Sequence, residues 1–209
     1  MNLFTRTRTT KPEHLAEGRA FAVEIAAHVS ATTGVQITPW ATLYGAPIGT
    51  LSFSAVVDSQ AAMGVAQEKL GADTEYQKLV SEAAGRLFVG NSEDLMGEVV
   101  STVGSPGPAH YSTIVTAQCA PGKIADAMAW AVDIQSHVNK LTNGDGLLLR
   151  GLYGPFGTLA WIGLFKSLAD VDASGAAMSG DPTYIEQLDQ AGELFVTGTV
   201  EQRLIQRLV

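Results

Sequence analysis

The chain has 209 residues, of which 46% are hydrophobic and 16% charged, and its formal net charge is −8. This composition excludes a disordered polymer, which needs low hydrophobicity and high charge. The single cysteine excludes an internal disulfide. The acidic balance argues against nucleic acid as a partner, because phosphate binding favours a basic face. The length permits one large domain or two domains of about 100 residues each.

The sequence also bears on membranes and targeting. No stretch approaches 18 consecutive apolar residues, and residues 1–10 (MNLFTRTRTT) lack the apolar run of a signal peptide. We therefore expect a soluble, cytoplasmic protein with no membrane partner. A homo-oligomer is plausible as well, because the edge strands of a sheet need a cover.

The second half of the chain repeats the first half in order. Ala20–Ile25 (AFAVEI) matches Ala129–Ile134 (AWAVDI) at an offset of 109 residues. The offset falls to 108 where Asp73 meets Asp181, and to 107 where GRLFV at 85–89 meets GELFV at 192–196. Single-residue deletions of this kind are tolerated in connections. We predict two copies of one unit, residues 1–104 and 109–209, joined by a Gly/Pro linker at 105–108.

Each copy predicts the same elements in the same order. The alternating pattern, helical spacing and turn residues favour a strand, a helix, two strands, a helical region and a fourth strand. In chain order these are 3–9, 12–32, 37–44, 50–57, 59–84 and from 87 in the first copy, and 112–119, 121–141, 146–153, 158–165, 167–191 and from 194 in the second. We expect the helical regions to break near Gly71 and Gly180, and a short extra element at 93–100 and 200–208.

The order β-α-β-β-α-β is the ferredoxin-like motif of an α+β protein. One such unit leaves a sheet face uncovered, which a second unit can cover. The chain thus resembles the dimeric α/β-barrel superfamily in a fused, tandem form, with relatives such as the antibiotic-biosynthesis-monooxygenase-like and NIPSNAP-like families. The resemblance implies an intramolecular dimeric α/β barrel. It also implies a range of activities that includes cofactor-independent oxygenases, haem-linked enzymes, isomerases and cyclases.

A histidine recurs on the first helix of each copy, four residues after a carboxylate. Glu24 precedes His28, and Asp133 precedes His137. Four residues are about one helical turn, so the carboxylate can reach the imidazole and raise its basicity for general-base catalysis. The alternatives are a solvated surface pair and a histidine satisfied at the helix–sheet boundary.

The first strands of the two copies differ in charge. Arg6 and Arg8 share one face of the first strand, whereas Val115 and Ala117 occupy these positions in the second copy. Two guanidinium groups on one face can hold a carboxylate or phosphate. The alternative is an exposed face with both arginines in water.

Large aromatic residues concentrate on the first helix and on the second and third strands. They are either core residues or the rings of a small-molecule pocket, and as a pocket they are Trp40, Tyr44, Trp130, Tyr153 and Trp161. Small residues in the second copy, Gly151 against Thr42 and Gly163 against Ala55, predict more room there.

These observations predict a small enzyme that acts on a hydrophobic organic molecule, which can carry an acid group, by oxygenase, isomerase or cyclase chemistry. His137 with Asp133 is the candidate base in the roomier half. We predict no metal site, because no H-E-x-x-H motif is present, and no cofactor, because the Asn/Trp/His pattern of haem-degrading relatives is not matched. The alternative is a non-catalytic ligand-binding or assembly protein on the same barrel.

Overall fold

A computed structural model describes all residues, 1–209. The chain divides into two compact units, Met1–Gly97 with Gln206–Val209, and Glu98–Ile205. The repeat boundaries given above, 1–104 and 109–209, stay a prediction about the duplication of the sequence. Eight strands follow the order β1-β3-β2-β8-β5-β7-β6-β4 in a closed barrel.

The first repeat contains four strands and three α-helices. In chain order they are β1 Asn2–Thr10, α1 Leu15–Thr33, β2 Thr38–Tyr44, β3 Thr50–Val57, α2 Gln60–Ala72, α3 Thr74–Leu87 and β4 Phe88–Val103. A 3₁₀ turn at Pro12–His14 precedes α1. β3 pairs antiparallel with both β1 and β2. The helical region breaks at Asp73, two residues after the predicted Gly71, because Asp73 caps the start of α3 through its side chain.

The second repeat has the same plan. Its elements are β5 Tyr111–Gln118, α4 Ile124–Thr142, β6 Asp145–Tyr153, β7 Thr158–Phe165, α5 Leu168–Ser179, α6 Pro182–Gln190 and β8 Glu201–Arg207. β7 pairs antiparallel with both β5 and β6. The elements therefore agree with the α+β, β-α-β-β-α-β order predicted from the sequence.

Two predicted elements differ. The short extra element expected at 93–100 is part of β4, which runs without a break from Phe88 to Val103. Residues 194–196 were expected to open the fourth strand of the second repeat, but only an isolated bridge joins Phe195 to Cys119. A turn follows at once: Gly198 has φ +80°, and both the backbone N–H and the hydroxyl of Thr199 donate to the carbonyl of Val196. The strand resumes as β8 at Glu201.

The repeats share their helix caps as well as their helices. α1 ends at Gly34 with φ +80°, and α4 ends at the matching Asn143 with φ +49°; glycine and asparagine are the residues that tolerate this left-handed conformation. The N-caps of the later helices also match, and they are Ser59 and Asp73 in the first repeat and Ser167 and Asp181 in the second. The same local signals thus fix the same boundaries twice.

Each unit has its own apolar core where the first helix packs on the sheet. Ala22, Leu51 and Leu87 anchor the core of the first unit. Ala131, Leu148 and Leu159 anchor the core of the second. Small residues on the buried faces of α1 and α4 let each helix approach its strands closely. None of the helices is both long and apolar enough to cross a lipid bilayer.

Candidate functional site

Each unit encloses a cavity between its strands and its three helices. In the first unit, residues of β1, β3 and α1–α3 line a cavity of about 180 Å³. In the second unit, residues of β5–β7 and α4–α6 line a cavity of about 630 Å³. The lining positions correspond through the repeat: Ile25, Val29 and Tyr76 line the first cavity, and Ile134, Val138 and Tyr184 line the second. Matching positions of the two repeats therefore line two cavities of different size.

Side-chain size accounts for the larger second cavity. Phe4, Arg6 and Arg8 on β1 are replaced by smaller side chains on β5, and bulky residues elsewhere give way to glycine. The matching lining residues of the second unit are Thr113, Val115, Ala117, Gly144, Gly146 and Gly175, against Phe4, Arg6, Arg8, Val35, Ile37 and Gln67. Gly163 also lines the second cavity, in agreement with the extra room that the sequence indicated for this half. A volume near 630 Å³ is in the range of sites that bind drug-sized molecules.

Three aromatic rings form one wall of the second cavity. Trp130, Trp161 and Phe195 pack edge to face, with ring centroids 5.5 to 5.9 Å apart. The indole N–H of Trp130 donates to the carbonyl of Gln187 at 2.9 Å, and that of Trp161 donates to the carbonyl of Ala131 at 3.2 Å. Because both N–H groups are bonded to the backbone, the rings are fixed in orientation and offer the cavity mainly apolar surface.

Gln135 is a buried polar residue on the lining of the second cavity. It lies on the buried face of α4, is 7% exposed, and lines the second cavity. Both its amide nitrogen and its amide oxygen are buried without a hydrogen-bond partner. A buried polar group without a partner costs about 1–3 kcal/mol, so the site keeps a hydrogen-bonding capacity that the fold does not use.

The arginines lie in the first unit, where both line the small cavity. Arg6 forms two hydrogen bonds to Asp94, at 2.7 and 2.6 Å. Its charge is thereby balanced within the unit, and the bond to Asp94 raises the pKa of Arg6. The guanidinium of Arg8 lies 4.6 Å from the ring centroid of Phe88, and its Nε is buried without a partner. Burial lowers the pKa of Arg8, and Arg6 lowers it further.

The predicted histidines have different carboxylate partners from those expected. Nε2 of His28 lies 2.8 Å from Oδ2 of Asp73, and Nε2 of His137 lies 2.7 Å from Oδ1 of Asp181. These aspartates, rather than Glu24 and Asp133, are the partners, because the caps of α3 and α6 lie beside the first helix of each repeat. Neither histidine lines either of these two cavities.

Three of the predicted ring residues lie away from the cavities. The Trp40 ring is buried, and its N–H donates to Oγ of Ser54 at 2.8 Å. Tyr44 is 72% exposed and Tyr153 is 61% exposed, and neither lines a cavity. Both tyrosines are exposed because they lie at the ends of strands β2 and β6. Of the five predicted rings, Trp130 and Trp161 are the ones brought together in the second cavity.

Sequence reasoning missed Gln135, although a signal was present. The repeat aligns Gln135 with Ala26, which is 3% exposed, at a position on the buried helix face. A glutamine in a place where the duplicate copy has a buried alanine contradicts the apolar pattern of that face. Such a local contradiction is typical of functional positions.

The lining residues restrict the chemistry of both cavities. The ionisable groups that line the second cavity are Asp145 and Tyr184. Oδ1 of Asp145 accepts from the backbone N–H of Ser105 at 2.8 Å, and burial raises the pKa of Tyr184. No histidine or cysteine lines either cavity, so neither fits a haem held by an imidazole or a thiolate. No cluster of three or more His, Cys, Asp or Glu residues that could hold a metal ion is present.

Comparison with known proteins supports the fold and leaves the activity open. No protein-family model matches the chain, and no curated protein matches it. Several solved structures are similar over its whole length. A proposed monooxygenase of Fusobacterium nucleatum has a TM-score of 0.71 at 9% identity, and the match covers 100% of this chain and 92% of that one.

Two further structures extend the comparison. An anthrone oxidase-like protein has a TM-score of 0.71 at 15% identity, with 100% of this chain and 91% of that one covered. A proposed monooxygenase of Lactobacillus acidophilus has a TM-score of 0.67 at 11% identity, with 100% and 94% covered. At these identities the likeness concerns the fold. The chain has the ferredoxin-like, dimeric α/β-barrel fold that its sequence predicted.

Proposed function

We propose that the chain is a small-molecule enzyme of the oxygenase type, and that its substrate is a hydrophobic, fused-ring compound bound in the cavity of the second unit. The observation that carries the proposal is the wall of Trp130, Trp161 and Phe195 along a cavity of about 630 Å³. Edge-to-face rings of this kind offer apolar surface to a flat aromatic ligand. The fold of the proposed monooxygenases and of the anthrone oxidase-like protein supports the reaction class.

Anthrone is a suitable test substrate because it is a flat, three-ring ketone. Its oxidation by O₂ converts the ring CH₂ into a second carbonyl and releases one water, so that C₁₄H₁₀O and O₂ give C₁₄H₈O₂ and H₂O. The apolar wall would exclude bulk water from the reacting carbon. Tyr184 remains protonated at neutral pH, since burial raises its pKa, and its hydroxyl can donate to a ligand oxygen.

We retain His137 as the candidate base. A purely structural role for His137 is the alternative. Nε2 of His137 is bonded to Asp181, which also caps α6, so a purely structural role accounts for the same contact. His137→Gln separates the two roles. A base predicts loss of turnover with ligand affinity retained, whereas a structural role predicts lower stability with turnover per folded molecule unchanged.

A non-catalytic ligand-binding protein is the second candidate. It is favoured by the ionisable residues of the second cavity, which are limited to Asp145 and Tyr184, and by the placement of both histidines outside the cavities. If this alternative is correct, the same hydrophobic molecules bind to the second unit and are released without chemical change.

Oxygen uptake in the presence of anthrone tests the proposal, with a variant that fills the cavity. An added Cβ at Gly175 meets no atom within 4 Å, and Gly175 lines the second cavity, so Gly175→Leu should place a side chain in the site without a clash at Cβ. Gly64→Leu is the matched control, because Gly64 is also helical, also has open space at Cβ, and lines neither cavity.

The proposed enzyme consumes O₂ above the rate of spontaneous anthrone oxidation, and Gly175→Leu abolishes this excess while Gly64→Leu retains it. Binding of anthrone without oxygen uptake would support the ligand-binding alternative. Absence of binding, or equal binding by Gly175→Leu, would contradict a site in the second cavity.

A further inference from the structure

We infer that Gln135 selects ligands by an amide-like edge, that is, a carbonyl and an N–H or O–H donor side by side, as in a carboxamide, a lactam or an un-ionised acid. The inference rests on the proposed function, since it names the substrate class of the same cavity. A glutamine amide presents one acceptor and two donors in one plane, so an amide-like edge can satisfy its oxygen and its nitrogen together.

The fold leaves the side-chain amide of Gln135 without a hydrogen-bond partner. Both side-chain polar atoms of Gln135 are buried without a partner, on a residue that is 7% exposed and lines the cavity. The duplicate unit has buried Ala26 at the same position. The repeat therefore folds without a polar group there, and packing alone does not account for the glutamine.

Several other polar groups that line the second cavity are already bonded within the protein. Nδ2 of Asn139 donates to the carbonyl of Gly144 at 2.7 Å, and the hydroxyl of Thr142 donates to the carbonyl of Val138 at 2.8 Å. The two indole N–H groups of the ring wall are bonded to backbone carbonyls as well. Among the residues that line this cavity, Gln135 is the one whose side-chain nitrogen and oxygen are both buried without a hydrogen-bond partner.

The two cavities also differ in charge. No cationic side chain lines the second cavity, in contrast to Arg6 and Arg8 in the first. A carboxylate bound there would have no counter-charge, and its two acceptor oxygens would leave the oxygen of Gln135 without a donor. The second cavity is accordingly suited to neutral ligands, and a ligand with an acid group fits the first cavity better.

Three naphthalene probes that differ in one substituent test this selection. They are 2-naphthamide, which has the amide-like edge, 2-acetylnaphthalene, which has the carbonyl alone, and 2-naphthoate, which is an anion at pH 7. Affinities are measured by isothermal titration calorimetry with wild type, Gln135→Leu and Gln135→Met. Gln187→Leu is the control, because the side-chain oxygen of Gln187 is also buried without a partner but does not line the cavity.

Wild type and Gln187→Leu should bind 2-naphthamide about tenfold or more tightly than 2-acetylnaphthalene, and 2-naphthoate most weakly. In Gln135→Leu and Gln135→Met the ratio of the first two affinities should fall to about one, with thermal stability not below that of wild type. The methionine variant keeps the length of the side chain, so it serves if the leucine variant does not fold.

The outcomes separate this inference from the proposal on which it rests. Equal binding of the amide and the ketone by wild type, or a preference that persists in both Gln135 variants, overturns the inference and leaves the ring-lined site standing. Failure of wild type to bind any of the three probes overturns both.

Discussion

Nε2 of His137 lies 2.7 Å from Oδ1 of Asp181, and the same relationship recurs between His28 and Asp73 at 2.8 Å. In each repeat the histidine lies on the long first helix, and the aspartate caps the last helix by accepting backbone N–H groups. The pair therefore joins two helices that border the cavity. The retention of this contact in both units, when the cavity linings have diverged, fits a role in holding the helices together.

These pairs predict that the protein loses stability in acid. The backbone N–H of Tyr76 and the His28 side chain lower the pKa of Asp73 to about 2, and the bond from His137, followed by the Tyr184 N–H, lowers the pKa of Asp181. A carboxyl whose pKa is lower in the folded state stabilises the fold at any pH above its unfolded value, about 4. That contribution disappears as the pH falls through the folded value.

Urea denaturation between pH 7 and pH 2 measures this effect. The free energy of unfolding should decline from about pH 4 downward, and the decline should be shallower in Asp73→Asn and Asp181→Asn, which start from a lower stability at pH 7. An acid profile identical to wild type in the double variant would show that these carboxylates do not control the transition.

A second prediction concerns the stability cost of the candidate site. Replacing Gln135 with leucine removes a buried amide that has no partner and adds apolar contacts, so the free energy of unfolding should rise by about 1–2 kcal/mol. Gln187→Leu is the control, because it shows whether leucine in place of any half-buried glutamine raises the free energy of unfolding. A clear loss of stability in Gln135→Leu would mean that its amide is already satisfied within the fold.

A third prediction concerns the contact between the first helix and the first strand, where the two repeats have different residues. A Cβ on Gly18 would lie 2.5 Å from Cγ2 of Thr10, and Thr10 is 1% exposed. Gly18→Ala should therefore destabilise the protein by about 1–3 kcal/mol from overpacking, despite the higher helix propensity of alanine.

The second repeat supplies the compensating change, because it has Cys119 and Ala127 at these two positions, and the two pack together. Thr10→Cys combined with Gly18→Ala should recover part of the lost stability in a urea titration. An additive or larger loss in the double variant would rule out this contact as the cause.

A fourth prediction concerns the first cavity. Asp94 balances the charge of Arg6, but the Nε of Arg8 is buried without a partner. A small aromatic acid such as benzoate should raise the melting temperature of wild type by binding to Arg8. Arg8→Met should lose this shift, and Arg19→Met, which changes an exposed arginine of α1, should keep it. An equal shift in both variants would assign the effect to nonspecific salt.

The sequence predicted most of the fold because its local signals occur twice. The strand patterns, the proline and glycine positions and the helical spacing agree between the copies, and strands β3 and β7 begin and end where expected. The isolated bridge at Phe195 was not predicted, since the turn at Gly198 and Thr199 depends on hydrogen bonds made only in the folded chain.

The candidate site was predicted less well, for a physical reason. Glu24 and Asp133 are neighbours of the histidines along one helix, but Asp73 and Asp181 reach them from another helix. Long-range contacts of this kind follow from packing, which a single sequence does not display. Tyr44 and Tyr153 were expected in the core or in a pocket, but both are exposed. The residue type and the strand face do not predict how exposed a side chain is near the end of a strand.

The most direct test of the account is the structure of the protein crystallised with 2-naphthamide. We expect the naphthalene ring in the second cavity, against Trp130, Trp161 and Phe195, with its amide hydrogen-bonded to both polar atoms of the Gln135 side chain. A ligand bound in the first cavity or on the surface, or in the second cavity with the Gln135 amide still unpaired, would contradict it.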